Sequence, residues 1–227
     1  MKLLAIDCSA SLCAACVYDV QADKELGRAA LDLGKGHAEK LMAVVGDALK
    51  NAGIAFPDLG AVAVSVGPGS FTGVRVGVSA ARGFALALKV PAIGVTTLEA
   101  LAAEARDVFG ARAVLSALDG GRGEIQAAVY DEFGALVYAP AVITLSQAAD
   151  LATKFSPVLA GTAANIIAGA VPSQAFDTGP LGATADIAVY ARVAAQKGAA
   201  GKEPAPVYLR EPDAKPQAGF ILPRSGV

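Results

Sequence analysis

Gly67-Pro68-Gly69-Ser70-Phe71-Thr72-Gly73 stands between a short apolar run and a long apolar segment with helical spacing. A glycine-rich turn in that position can offer backbone N–H groups and a helix N-terminus to a phosphate. It is not a P-loop, because no Gly-Lys-Ser/Thr follows, and Thr72 stands where a dinucleotide fingerprint needs its third glycine. Two uses stay open: phosphate contact through Gly67, Gly69, Ser70 and Gly73, or a purely structural tight turn. Asp7 and Asp119 each end a strand-like run and precede a turn. The first turn, Cys8-Ser9-Ala10, has no glycine, which limits how closely a phosphate can approach its backbone. The second, Gly120-Gly121-Arg122-Gly123, is more permissive. For both aspartates the competing use is a hydrogen bond to their own turn.

His37 is the single histidine, placed where a helix pattern starts, so a capping or surface role is expected. One histidine cannot supply a paired metal site. No G-x-S-x-G elbow occurs, although one histidine would suffice for a serine or cysteine hydrolase. Cys8, Cys13 and Cys16 are the only cysteines, an odd number in one apolar stretch, which reads as small buried thiols rather than a disulfide framework or metal site.

These residues need elements to hold them. Leu3 to Asp7 and Cys13 to Val20 read as a hairpin, with a third strand candidate in KELGRAALDL. Ala38, Leu41, Met42, Val45, Ala48 and Leu49 recur at helical spacing until Asn51 and Gly53. A strand at Ala61 to Val66 leads through the glycine turn into a helix ending near Leu88, and Pro91 to Val95 is a short strand. Thr96-Thr97-Leu98-Glu99 then forms a capping box. The pattern repeats: a strand from Ala111 to Asp119, its hairpin partner EIQAAVYD, a third strand over Gly134 to Val142, a helix capped at Thr144, a strand over Pro157 to Gly161, and a last helix opened by Thr184. Each half reads β-β-β-α-β-α, a duplicated α/β unit with a hinge near 97–110. The expected division is an N-terminal lobe over 1–104, a C-terminal lobe over 105–200 and a Pro-rich extended tail over 201–227, packing through Val207, Tyr208 and Leu209.

The helix after the glycine turn carries two apolar faces. Val74, Gly77, Val78, Ala81, Phe84, Ala85 and Leu88 suit packing on a sheet. Val76, Ala80, Gly83 and Ala87 form a second face of small residues that would let another helix come close. Either the neighbouring helix of Leu41 and Val45 covers that face, or a partner does.

Composition limits the function classes. The 227 residues are 54% hydrophobic, yet no run approaches the roughly 18 apolar residues of a membrane span. Net charge is −2, so there is no bulk basic field for autonomous nucleic-acid binding. The N-terminal MKLLAID is too short in apolar residues for a signal peptide, and a cytoplasmic protein is expected.

The run SVGPGSFTGVRVG, with LAID and GHAEKLM before it and TLEALA, DGGRGEIQ and PVYLR after it, resembles the TsaB (YeaZ) family over essentially the whole chain. The resemblance implies an actin/Hsp70-like (ASKHA) fold of two lobes and a non-catalytic partner of TsaD, which threonylcarbamoylates the adenosine beside the anticodon of ANN-decoding tRNAs. TsaE, an ATP-hydrolysing protein, is implied through the complex and tRNA only indirectly. No cofactor is required of this chain, though ATP or ADP at the partner interface is in keeping with the family. Catalytic relatives hold a metal through H-x-x-x-H, and the matching stretch here, His37 to Leu41, has one histidine. In that fold Asp7 and Asp119 would stand near nucleotide phosphates. Gly120-Gly121 and Gln126 depart from a family pattern that more often has bulkier residues and a tyrosine. The family meets its partner through helices matching 37–50 and 74–88, which assigns Leu41, Val45, Val76, Ala80, Gly83 and Ala87 to the interface, with a homodimer in the partner's absence. The alternatives are an ATP-dependent kinase or hydrolase of the same fold and a metalloprotease, against which the single histidine weighs.

Overall fold

The structure, a computed structural model, describes residues 1–199 and 203–209. Most of the tail expected over 201–227 lies outside the described residues. The first half runs β1 (Lys2–Asp7), β2 (Leu12–Asp19), β3 (Lys24–Asp32), α1 (His37–Ala52), a 3-10 turn (Phe56–Asp58), β4 (Leu59–Ser65), α2 (Phe71–Leu88), β5 (Ala92–Val95) and α3 (Thr97–Phe109). The second runs β6 (Val114–Gly121), β7 (Glu124–Tyr130), β8 (Leu136–Thr144), α4 (Leu145–Phe155), β9 (Val158–Ala160), α5 (Ala164–Ala170) and α6 (Ile187–Lys197).

Two mixed sheets result, ordered β3-β2-β1-β4-β5 and β8-β7-β6-β9. In each, the first strand pairs antiparallel with its hairpin partner and parallel with the strand that follows the first helix. The second sheet even keeps a trace of a fifth strand, a single parallel bridge between Leu159 and Thr178. The duplication is thus real: each half carries β-β-β-α-β-α, followed in the first by β5 and α3, the strand and capped helix read at Pro91 to Val95 and Thr96, and in the second by the bridge at Thr178 and α6.

β1 explains why the centre of such a sheet reads as a continuous apolar run. Leu3 and Ala5 face a core between the sheets, and Leu4 and Ile6 face an outer core under α1 and α2, so both faces are covered. A third core lies under α4 and α5. The central core is filled by the last helix of each half, and each packs on the other half's sheet: α3 against β6, β7 and β9, and α6 against β1, β2, β4 and β5. Leu98, Leu101 and Tyr190 are fully buried there, and each such leucine contributes roughly 1.5–3 kcal/mol. A boundary at 104/105 therefore cuts a continuous helix, and the segment expected as a hinge is α3 itself.

The caps at Thr96 and Thr144 form as read: each hydroxyl accepts the N–H three residues on, from Glu99 at 3.1 Å and Gln147 at 3.2 Å. Thr184 does not open the last helix. Asp186 is the N-cap of α6, accepting from Ala188 N at 2.9 Å, because Thr184 is engaged elsewhere. The seven-residue α5 was not legible, being too short to show a helical period. His37 is buried at 6% exposure with Gly36 as N-cap, which corrects the capping or surface role expected of it.

Candidate functional site

Asp7 ends β1 at the junction of the two lobes and is almost wholly buried. Its Oδ1 accepts from Ser9 N at 2.8 Å and from Ser65 Oγ at 2.5 Å. Thr184 Oγ1 donates to Oδ2 at 2.7 Å. A hydroxyl has one proton, so Thr184, having given its own to Asp7, accepts from Tyr190 Oη at 2.7 Å and from Ser9 Oγ at 3.3 Å. Burial pushes the Tyr190 phenol well above its ordinary value, which keeps it a neutral donor. Three of the roughly four acceptor positions of the carboxylate are thus filled by the chain's own groups.

The glycine turn is built against the same spot. A Cβ on Gly73 would run into the Cys8 carbonyl oxygen, and one on Gly69 into the Ser9 carbonyl oxygen. Both glycines exist for close backbone approach. Ser70 N donates to Ser9 O at 2.7 Å, and the Ser70 hydroxyl caps α2 by accepting from Gly73 N at 3.2 Å. Gly67, at φ +88°, receives Thr97 N through its carbonyl at 2.9 Å. Two of the N–H groups that a phosphate would use are therefore spent inside the fold, and the geometry of Gly67, Gly69, Ser70 and Gly73 is that of a packing joint. The second lobe repeats the device: Gly161 abuts the Ala117 carbonyl, which accepts from Ala163 N at 3.1 Å.

A cleft of about 1000 Å³ opens beside this joint. Asp119 stands on its far wall, exposed, accepting from Gly121 N at 2.8 Å in its own turn. At the mouth, Arg75 lies over the Phe71 ring at 3.6 Å and donates through Nε to Tyr208 Oη at 2.6 Å, and the two rings meet at 5.5 Å. Val207 N donates to Val66 O at 2.8 Å, so the expected packing through Val207 and Tyr208 is seen, and it forms part of the cleft wall. Neither Arg75 nor Tyr208 was singled out by sequence reasoning as part of a site. Their sequence separation leaves no local signal.

The two helices assigned to partner binding divide differently from expectation. Leu41, at 2% exposure, and Val45 face the sheet and belong to the outer core, so they are not surface residues. The reason is register: with Val44, Ala48 and Leu49 they form the stripe that α1 needs to bury. Val76 and Ala80 are half-buried at the margin of that core, while Gly83 and Ala87 are exposed. Gly46 on α1 and Gly83 on α2 meet no atom within 4 Å of an added Cβ, and Leu86 is 82% exposed. The Gly83 and Ala87 end of the small-residue face of α2 is open, with Met42, Ala43 and Gly46 exposed on α1. Among the described residues no three His, Cys, Asp or Glu side chains stand where they could hold a metal ion, and no helix is long and apolar enough to cross a membrane.

A protein-family model described as TsaD, tRNA N6-adenosine threonylcarbamoyltransferase, matches residues 32–216. The tRNA threonylcarbamoyladenosine biosynthesis protein TsaB of Escherichia coli (strain K12) is 38% identical over 139 residues, 59% of this chain and 58% of that one. The chain thus spans little more than half the length of that curated relative. A solved Pseudomonas aeruginosa structure, described as an uncharacterized protein with similarity to peptidase YEAZ, aligns with TM-score 0.77 and 27% identity over 92% of this chain and 99% of its own. An inorganic polyphosphate/ATP-glucomannokinase from Arthrobacter aligns at TM-score 0.50 and 16% identity over 87% and 99%, a likeness of fold alone. The architecture is the actin-like one expected, and the chain belongs to the TsaD-related family of threonylcarbamoyladenosine proteins, on its TsaB (YeaZ) side.

Proposed function

We propose that this chain acts in tRNA threonylcarbamoyladenosine synthesis as the non-catalytic partner of a TsaD-type transferase, which modifies the adenosine next to the anticodon of ANN-decoding tRNAs. The observation that carries this reading is the open end of the small-residue face of α2, where Gly83 and Ala87 are exposed and a Cβ at Gly83 meets nothing within the chain. Glycine inside an exposed helix costs roughly 1 kcal/mol relative to alanine, and close approach by another helix would offset it. TsaE joins through the complex, and tRNA is held by other subunits, in keeping with the net charge of −2. A nucleotide in this reading sits between the two chains, since Asp7 is already occupied by Ser9, Ser65 and Thr184. Alone, the same face would pair two copies of this chain.

The test is reconstitution from the host's TsaD and TsaE, threonylcarbamoyl-adenylate and substrate tRNA, with and without this protein. Modification should require it, and activity unchanged by its omission overturns the reading. Gly83→Leu should fold and lose TsaD binding. A competing reading, an actin-like ATP-dependent kinase or hydrolase acting alone, draws on the 1000 Å³ cleft. It predicts ATP turnover by the isolated chain, which the leading reading does not.

A further inference from the structure

Cys8 and Cys13 flank the turn from β1 into β2, both buried, with their sulfurs 3.8 Å apart. The hairpin register explains the pairing: Asp7 opposes Ala14, so one step further Cys8 opposes Cys13. Directly opposed residues of an antiparallel pair have Cα atoms about 4.5–5.5 Å apart, inside the span a disulfide bridges. Cys16 is on the other face of β2. It lies in the central core and donates to the Ile187 carbonyl oxygen at 3.6 Å, while Cys8 and Cys13 belong to the outer core.

We propose that Cys8 and Cys13 form a redox-active dithiol that a small peroxide converts into an intramolecular disulfide across the β1–β2 hairpin. Sulfurs this close let one thiol donate to the other and favour its ionisation, a contact that lowers Cys13 from its ordinary value; the chemistry is written with Cys13, next to the exposed Leu12, as the attacking sulfur and Cys8 as the resolving one. The Cys13 sulfur, its proton released, attacks one peroxide oxygen, the O–O bond breaks, the departing hydroxide takes up the released proton as water, and a sulfenic acid remains. The Cys8 sulfur then attacks the sulfenic sulfur. The S–O bond breaks, and the departing hydroxide takes the Cys8 proton as water. In sum two thiols and one hydrogen peroxide give one disulfide and two waters, the two sulfurs losing the two electrons that the peroxide oxygens gain. The sulfurs must close from 3.8 Å to about 2.05 Å, a side-chain movement that leaves the strand ladder in place. Peroxide enters by local opening of a turn whose Ser11 and Leu12 are exposed. That turn includes Ser9, whose carbonyl receives Ser70 N at the start of α2, so the state of the pair is felt where α2 is seated.

The test exposes the full native chain to hydrogen peroxide, quenches it, denatures, alkylates with a maleimide and maps peptides by mass spectrometry. Titratable thiols should fall from three to one, with a Cys8–Cys13 cross-linked peptide, Cys16 alkylated, and full recovery after dithiothreitol. The Cys16→Ser variant should give the same cross-link, and the wild-type map decides if that variant does not fold. Persistence of all three thiols, sulfinic or sulfonic acid at Cys8 or Cys13 without the cross-link, or a bridge to Cys16 or to another chain overturns the proposal.

Discussion

Asp7 and Asp119 occupy the same position in the two lobes, and each accepts from the amide two residues on, Ser9 N and Gly121 N, both at 2.8 Å. Beyond that shared turn they part. Asp7 is covered by α2's glycine joint and by the segment before α6, and takes two further hydrogen bonds from Ser65 and Thr184. Asp119 faces the cleft, exposed. The local sequence decides the turn, and what packs over it decides whether the acid is a strut or a surface group. In this protein the first lobe's turn has become a joint between lobes, while in the second lobe the acid of the turn, Asp119, stands exposed at the cleft.

The contrast can be broken most severely at Gly73. Gly73→Ala puts a methyl into the Cys8 carbonyl and should cost about 3 kcal/mol in urea unfolding. A loss under about 1 kcal/mol would show that α2 is free to ride off β1. Next, Asp7→Ala strands Ser9 N, Ser65 Oγ and the Thr184 hydroxyl and should cost about 2 kcal/mol. Asp119→Ala should stay within about 0.5 kcal/mol, and equal losses at the two acids would erase the distinction between the lobes.

Gly83, the open counterpart of Gly73 on the same helix, should respond with the opposite sign. Gly83→Ala is expected to stabilise the isolated chain by about 1 kcal/mol, measured by thermal unfolding, because nothing opposes the added methyl. Destabilisation would place an unseen contact on that face.

The smallest effect is expected at Glu104, between α3 and α6. Burial raises its pKa from the ordinary 4.5, Asp186 and Asp107 add to the rise, and the Asp186 N–H and Arg192 oppose it. The folded chain then holds this proton more tightly than the unfolded one, so the contribution to stability is full below pH 4.5 and is lost as pH rises through the raised value. Glu104→Gln should flatten that step in a pH series of unfolding midpoints. An unchanged profile would mean that the carboxylate is solvated.

Much of this architecture was legible because its signals are local. The apolar runs Leu3 to Ile6 and Ala61 to Val64, the capping boxes at Thr96 and Thr144, and the glycine run all mark elements that form where they were read. Spacing also identified the sheet-facing side of α2, since Val74, Val78 and Ala81 are buried. The sequence could not say which side of α1 faced inward at Leu41 and Val45, because Met42 carries the same apolar character and only packing on the sheet distinguishes them. Nor could it show that Thr184 leaves its helix to bond Asp7, 177 residues away, or that α3 and α6 exchange sheets. By itself the sequence determined the strands, the turns, the duplication and the family. The tertiary structure alone decided that the glycine run is filled by the backbone of Cys8 and Ser9, because that requires two segments distant in the chain to meet within van der Waals contact.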